Sequence, residues 1–138
     1  MSLDKETMSP SYRLGRLFAV LEAVQRSALG GQVNATIRDR YYGAASATPA
    51  SVFPVLLRNT QNHLGRLRKD KPGLAVMLEK DIREIVDGLS ERFPRSLRIE
   101  DQGRFAIGYY HQSQSRFIKA EASAETDPNT EIAEGAAA

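Results

Sequence analysis

The sequence predicts an all-α fold: a single helical bundle of about five helices followed by a disordered acidic tail. Three observations predict it. Apolar residues recur at helical spacing through successive long segments, Pro and Gly punctuate the gaps between them, and no stretch of useful length alternates apolar with polar residues. A chain of 138 residues is long enough for one hydrophobic core and too short for two independent ones.

The first helix starts at Ser9-Pro10, a cap followed by proline at the first helical position. Leu14, Leu17, Phe18, Leu21, Val24 and Ala28 then form an amphipathic stripe until Gly30-Gly31 stops it. Asn34 is expected to cap a second, shorter helix through Arg38 to about Tyr42, closed by Gly43 and followed by an Ala/Ser-rich connection. Thr48-Pro49 repeats the cap-plus-proline signal. Val52, Phe53, Leu56, Leu57, Thr60, Leu64 and Leu67 mark the buried face of the third helix, and Pro54 is expected to kink its first turns or set its true start.

Asp70-Lys71-Pro72-Gly73 breaks that helix, and Leu74, Met77, Leu78, Ile82, Ile85 and Leu89 trace a fourth to about Glu91. Phe93-Pro94 ends the run, with Leu97 and Ile99 tucking the connection against the core. The fifth helix runs from about Glu100 to Ala120. Glu100 and Asp101 suit its positive N-terminus, while Phe105, Tyr109, Gln112 and Phe117 line one face. The domain reading is a flexible N-terminus over residues 1–9, a helical bundle over 10–120 and a mobile acidic tail over 121–138.

Charge divides the chain unevenly. The net charge is +2, but residues 121–138 hold five acidic residues and no Lys or Arg, so the first 120 carry 19 basic against 12 acidic residues. That basic balance favours a polyanionic partner. No apolar run approaches the roughly 18 residues that span a bilayer, and the N-terminus lacks the order of a signal peptide, so a cytoplasmic protein with no membrane partner is expected. Absence of cysteine rules out disulfides, thiol catalysis and cysteine-ligated metal.

Enzymatic readings find little to rest on. His63 and His111 fall on different helices and outside any HxxxH or HExxH pattern, and read as solvated surface histidines. Gly30-Gly31 follows a helix, and no phosphate-cradling GxxxxGK[ST] is present. Asp81, Glu84 and Asp87 alternate with Lys80 and Arg83, the pattern of a solvated charged face rather than a catalytic carboxylate pair. A non-enzymatic chain without cofactor or metal is expected.

The basic residues form better patterns. Arg58, Asn62, Arg66 and Lys69 make one polar ridge on the third helix, with His63 beside it and Arg68 and Lys71 extending the charge past the helix end. A structural reading competes, because cations near a helix C-terminus also complement its dipole. Arg38 and Arg40 precede Tyr41-Tyr42, a set able to give bidentate phosphate contacts and stacking faces for a single strand. One of the two tyrosines is expected to bury its ring in the bundle instead. Tyr109-Tyr110-His111-Gln112 carries the same ambiguity.

Four blocks carry a family resemblance: Tyr12-Arg13-Leu14-Gly15-Arg16-Leu17; Asn34-Ala35-Thr36-Ile37-Arg38-Asp39-Arg40-Tyr41-Tyr42; Ala47-Thr48-Pro49-Ala50-Ser51-Val52-Phe53-Pro54; and Gln102-Gly103-Arg104-Phe105-Ala106-Ile107-Gly108-Tyr109-Tyr110-His111-Gln112. Together they span about residues 10 to 117. The chain resembles the C-terminal region of the large subunit of type I-C CRISPR Cascade, a region also made separately as that complex's small subunit.

The resemblance implies a non-catalytic helical module of an RNA-guided surveillance complex. Further copies of itself would line the assembly beside the backbone and large subunits that accompany the CRISPR RNA, and would help to accommodate the target DNA strands. Guide pairing reads the sequence there, and the protein supplies backbone contacts and shape. The expected nucleic-acid contact set, drawn from the basic and aromatic residues themselves, is Arg38, Arg40, Tyr41, Tyr42, Arg58, Asn62, His63, Arg66, Arg68, Lys69, Lys71 and Arg104. Two alternatives remain: a spacer subunit making mainly protein contacts, and an excised C-terminal domain of the large subunit.

Overall fold

The computed structural model describes residues 9–30, 36–89 and 93–126. Five helices follow in order: α1 (Pro10–Leu29), α2 (Ile37–Ala47), α3 (Pro49–Asp70), α4 (Pro72–Asp87) and α5 (Ile99–Thr126). The all-α expectation holds. α1 is the axis of the bundle and packs against all four others, which surround it as an arc in the order α5, α2, α3, α4.

Ser9 caps α1 as expected, its side chain accepting from the Tyr12 amide, and Gly30 ends the helix with φ 61°. The simple amphipathic stripe needs correction, because every residue from 11 to 22 is buried, including Arg13, Arg16 and Glu22. The stripe faces the apolar core. Its polar side is covered in turn, by side chains of α4 and α5.

α2 begins two residues later than expected. Thr36 caps it through a reciprocal capping box with Asp39, while Asn34 lies outside the described residues. Gly43 does not close the helix, and the supposed connection Ala44-Ala45-Ser46-Ala47 is helical. Alanine is the best helix former, so a run of it outweighs the cost of one glycine, about 1 kcal/mol. Thr48 then ends α2 and starts α3, but its hydroxyl turns back to the Ala44 carbonyl at 3.1 Å and caps nothing in α3. The segment after α4 supplies the missing partner: the Ala50 amide donates to the Pro94 carbonyl at 2.9 Å, and the Leu97 amide to Ala47 at 2.9 Å.

α3 runs unbroken through Pro54, so the true start is Pro49 rather than an offset at the second proline. Pro54 lies on the exposed side, where its lost amide bond is least costly. α4 stops at Asp87, with Gly88 as its C-cap, and Glu91 lies outside the described residues. Its buried face consists of Ala75, Leu78 and Ile85, whereas Met77 is exposed. Leu97 packs against the core as expected; Ile99 does not, being 86% exposed as the first residue of α5. α5 continues to Thr126, past the expected end near Ala120, and residues 127–138 and the Phe117 side chain lie outside the description.

The core centres on Phe18, ringed by Phe53, Phe105, Tyr42 and Tyr109 with centroids 5.6 to 6.4 Å away. Edge and tilted geometries dominate, as the aromatic quadrupole favours. Phe93 stacks on Phe53 at 5.3 Å and seals the cluster from the connection side. Where α1 and α5 approach most closely, glycines face backbone: a Cβ at Gly15 would collide with the Phe105 carbonyl, and one at Gly108 with the Tyr12 carbonyl.

Candidate nucleic-acid interface

The α2 tyrosines face different environments. Tyr42 joins the core, 5.5 Å from Phe105 and 5.3 Å from Tyr109 between ring centroids, and burial raises its pKa. Its ring is therefore committed to packing rather than to stacking on a base. Tyr41 is half-buried and lines a cleft of about 120 Å³ between α2 and α3. Arg40, Asn59 and His63 share that cleft.

The two α2 arginines also diverge. The Arg38 guanidinium lies over the Tyr109 ring at 5.5 Å, a cation–π contact at the junction of α2 and α5. Arg40 is exposed at the cleft, and the intervening Asp39 belongs to the α2 cap. Adjacent cations in sequence thus point to separate places, since neighbouring helix residues are about 100° apart.

On α3, Arg58, Asn62, Arg66 and Lys69 are exposed, and among the described residues none of the three cations forms an ion pair. The ridge reaches the cleft through His63, which is half-buried rather than solvated. Burial and the nearby Arg66 charge hold the His63 pKa below 6.5, so the imidazole stays neutral at neutral pH. Lys71, also exposed, terminates α3.

Two predicted contact residues are already engaged. Arg68 bonds Glu79 of α4 at 2.6 Å through its Nε, bridging a separate groove between α3 and α4. Arg104 pairs with Asp101 one turn earlier on α5 at 2.8 Å. Both pairs are exposed and contribute little to stability, so either arginine can exchange its carboxylate for a phosphate at low cost.

Sequence reading missed a polar seam on the inner side of α1. Arg16 is 2% exposed and donates from Nε to Gln112 Oε1 at 3.0 Å; burial lowers its pKa, while Glu84 and Asp81 of α4 act to raise it. Glu84 is exposed and Asp81 half-buried, so this charged face of α4 meets solvent as expected, and both carboxylates also act on Arg16 of α1. Nearby, the Tyr12 hydroxyl and His111 Nδ1 share a 2.8 Å hydrogen bond, which takes His111 off the solvated surface. The available signal was the placement of Arg13 and Arg16 among apolar neighbours, on a helix too apolar to be covered on one side alone.

Glu22, also buried, accepts from the Tyr109 hydroxyl at 2.5 Å. Burial and then the carboxylate push the Tyr109 pKa up to about 12. In the unfolded chain a tyrosine ionises near 10. Between about pH 10 and 12 the unfolded state binds fewer protons, so this stabilisation is complete below pH 10 and is lost as pH rises through that window. Thermal melts across it should show stability falling with pH, and Tyr109→Phe should flatten the fall; an equal slope in the variant would place the effect elsewhere.

Among the described residues no cluster of His, Asp and Glu is suited to a metal ion, and no helix is long and apolar enough to cross a membrane. The described surface is that of a small helical module with an exposed row of cations beside a polar cleft. A family model described as CRISPR-associated protein (Cas_Csd1) matches residues 1–117. The chain belongs to this family of CRISPR-associated proteins. No curated protein matches it.

Proposed function

We propose that the chain is a non-catalytic subunit of a type I-C CRISPR RNA-guided surveillance complex, its small subunit or the equivalent C-terminal domain of the large subunit. In this reading it supports target DNA binding and R-loop stabilisation through backbone contacts. The observation that carries the proposal is the exposed row Arg58, Arg66 and Lys69, which forms no ion pair among the described residues and is linked through His63 to Arg40 and Tyr41. Exposed cations of this kind are available to phosphates, and such contacts bind any sequence, leaving discrimination to guide pairing.

The test is an assembled complex carrying Arg40→Gln, Arg58→Gln and Arg66→Gln together. Each lost phosphate contact should reduce the slope of log affinity against log salt by about 1, so the triple variant should lose about 3. An unchanged slope and affinity would overturn the proposal. The spacer reading draws on a different feature, the exposed apolar residues Val76, Met77 and Val86 of α4, which fit a protein neighbour. It predicts that these substitutions weaken assembly without changing how the assembled complex depends on salt.

A further inference from the structure

We propose that the cleft between α2 and α3 receives one unpaired base of single-stranded nucleic acid, with the adjoining phosphate held at its rim by Arg40. The inference rests on the nucleic-acid reading above and names the ligand that this part of the surface takes.

Size sets the first limit. The cleft holds about 120 Å³. That is room for about four waters at roughly 30 Å³ each, well short of the roughly 300 Å³ where pockets for larger organic ligands begin. One heterocyclic ring fits and a nucleotide pair does not. Chemistry sets the second limit. Buried Leu21 and Leu56 give an apolar floor, and half-buried Tyr41 gives an aromatic wall.

The polar groups suit a base edge. Asn59 offers a donor and an acceptor, and the Gln25 amide is held in place because its Oε1 accepts from the Ile37 backbone amide at 2.9 Å. His63 is kept neutral, so it too can both donate and accept. Arg40 is the charged residue of the lining, and no carboxylate accompanies it among the described residues. A neutral interior beneath a cationic rim matches a neutral base joined to an anionic backbone. The groove between α3 and α4 differs in kind: its Arg68 and Arg83 are accompanied by Glu79 and Asp87, which oppose a polyanion.

The test titrates the full chain with two fluorescent strands of about ten nucleotides, oligothymidine and a fully abasic strand of the same length and charge. Base capture predicts about tenfold tighter binding of oligothymidine. Tyr41→Ala should abolish most of that preference without weakening the abasic strand. Asn59→Trp, which plugs the cleft from an exposed position and leaves the core intact, should do the same. Equal affinity for both strands, or a preference that survives both substitutions, overturns base capture while backbone binding stands. If neither strand binds at millimolar concentration, base capture and the reading beneath it both fail for this chain. An oligouridine arm separates the sources: tighter binding than oligothymidine assigns the cleft to RNA, weaker binding to DNA, provided in each case that the base preference persists.

Discussion

Gly15→Ala and Gly108→Ala are each expected to destabilise the bundle by about 3 kcal/mol, seen as a fall of about 10 °C in melting temperature. The cause is backbone against backbone. A Cβ on Gly15 would overlap the carbonyl group of Phe105 and crowd the Tyr109 amide at 2.8 Å, and one on Gly108 would overlap the carbonyl of Tyr12. A flexible side chain could swing aside, but these atoms belong to the hydrogen-bonded ladders of α1 and α5. Relief therefore requires the helices to separate, which opens gaps around Phe18 and Phe105.

The same glycines allow that close approach in the native protein. Gly65 and Gly103, by contrast, face open space on α3 and α5. Alanine there should stabilise by roughly 0.5 to 1 kcal/mol through helix propensity alone. Identical substitutions with opposite signs, read from thermal melts, separate steric from propensity effects. An unchanged melting temperature in Gly15→Ala would refute the proposed crossing.

Arg16→Ala is expected to cost about 3 kcal/mol in urea denaturation. Arg16 has been withdrawn from water, and its stability in the fold depends on Gln112 and on the carboxylates of α4. Truncation removes the guanidinium, leaves a cavity and strands Gln112 Oε1 and the facing negative charge without their cation. Arg16→Lys should recover little, because an ammonium cannot reproduce the directed Nε bond. Gln112→Ala should cost about 1 kcal/mol, and the double variant should cost less than the sum, since each single change already breaks the shared bond. A loss below about 1 kcal/mol for Arg16→Ala would mean that the seam contributes little to stability.

These two sites show where local reading of the chain stops. Apolar spacing placed Leu14, Leu17, Phe18, Leu21 and Val24 in the core, and all are buried. Proline and glycine placed Ser9, Gly30 and Pro72 at helix ends. Capping and propensity gave weaker guidance around Gly43 and Thr48, where an alanine run and a distant loop decided the outcome. Of the candidate interface, the α3 ridge was legible because its residues share one helical face. The cleft was not, since Gln25, Tyr41 and Asn59 come from three helices and share no local period.

The sequence by itself determined that this is a cysteine-free, basic helical bundle, and it located the apolar stripe of each helix, because i to i+3 and i+4 spacing is a property of one helix alone. Only the tertiary structure decided that the polar side of α1 is covered as well, that Tyr42 packs inward while Tyr41 borders a cleft, and that Arg38 and Arg40 part company. The reason is geometric. A helix specifies which residues share a face, whereas the neighbour that meets the face depends on distances between chain segments, here set by the close approach of Gly15 to the Phe105 backbone and of Gly108 to the Tyr12 backbone across α1 and α5.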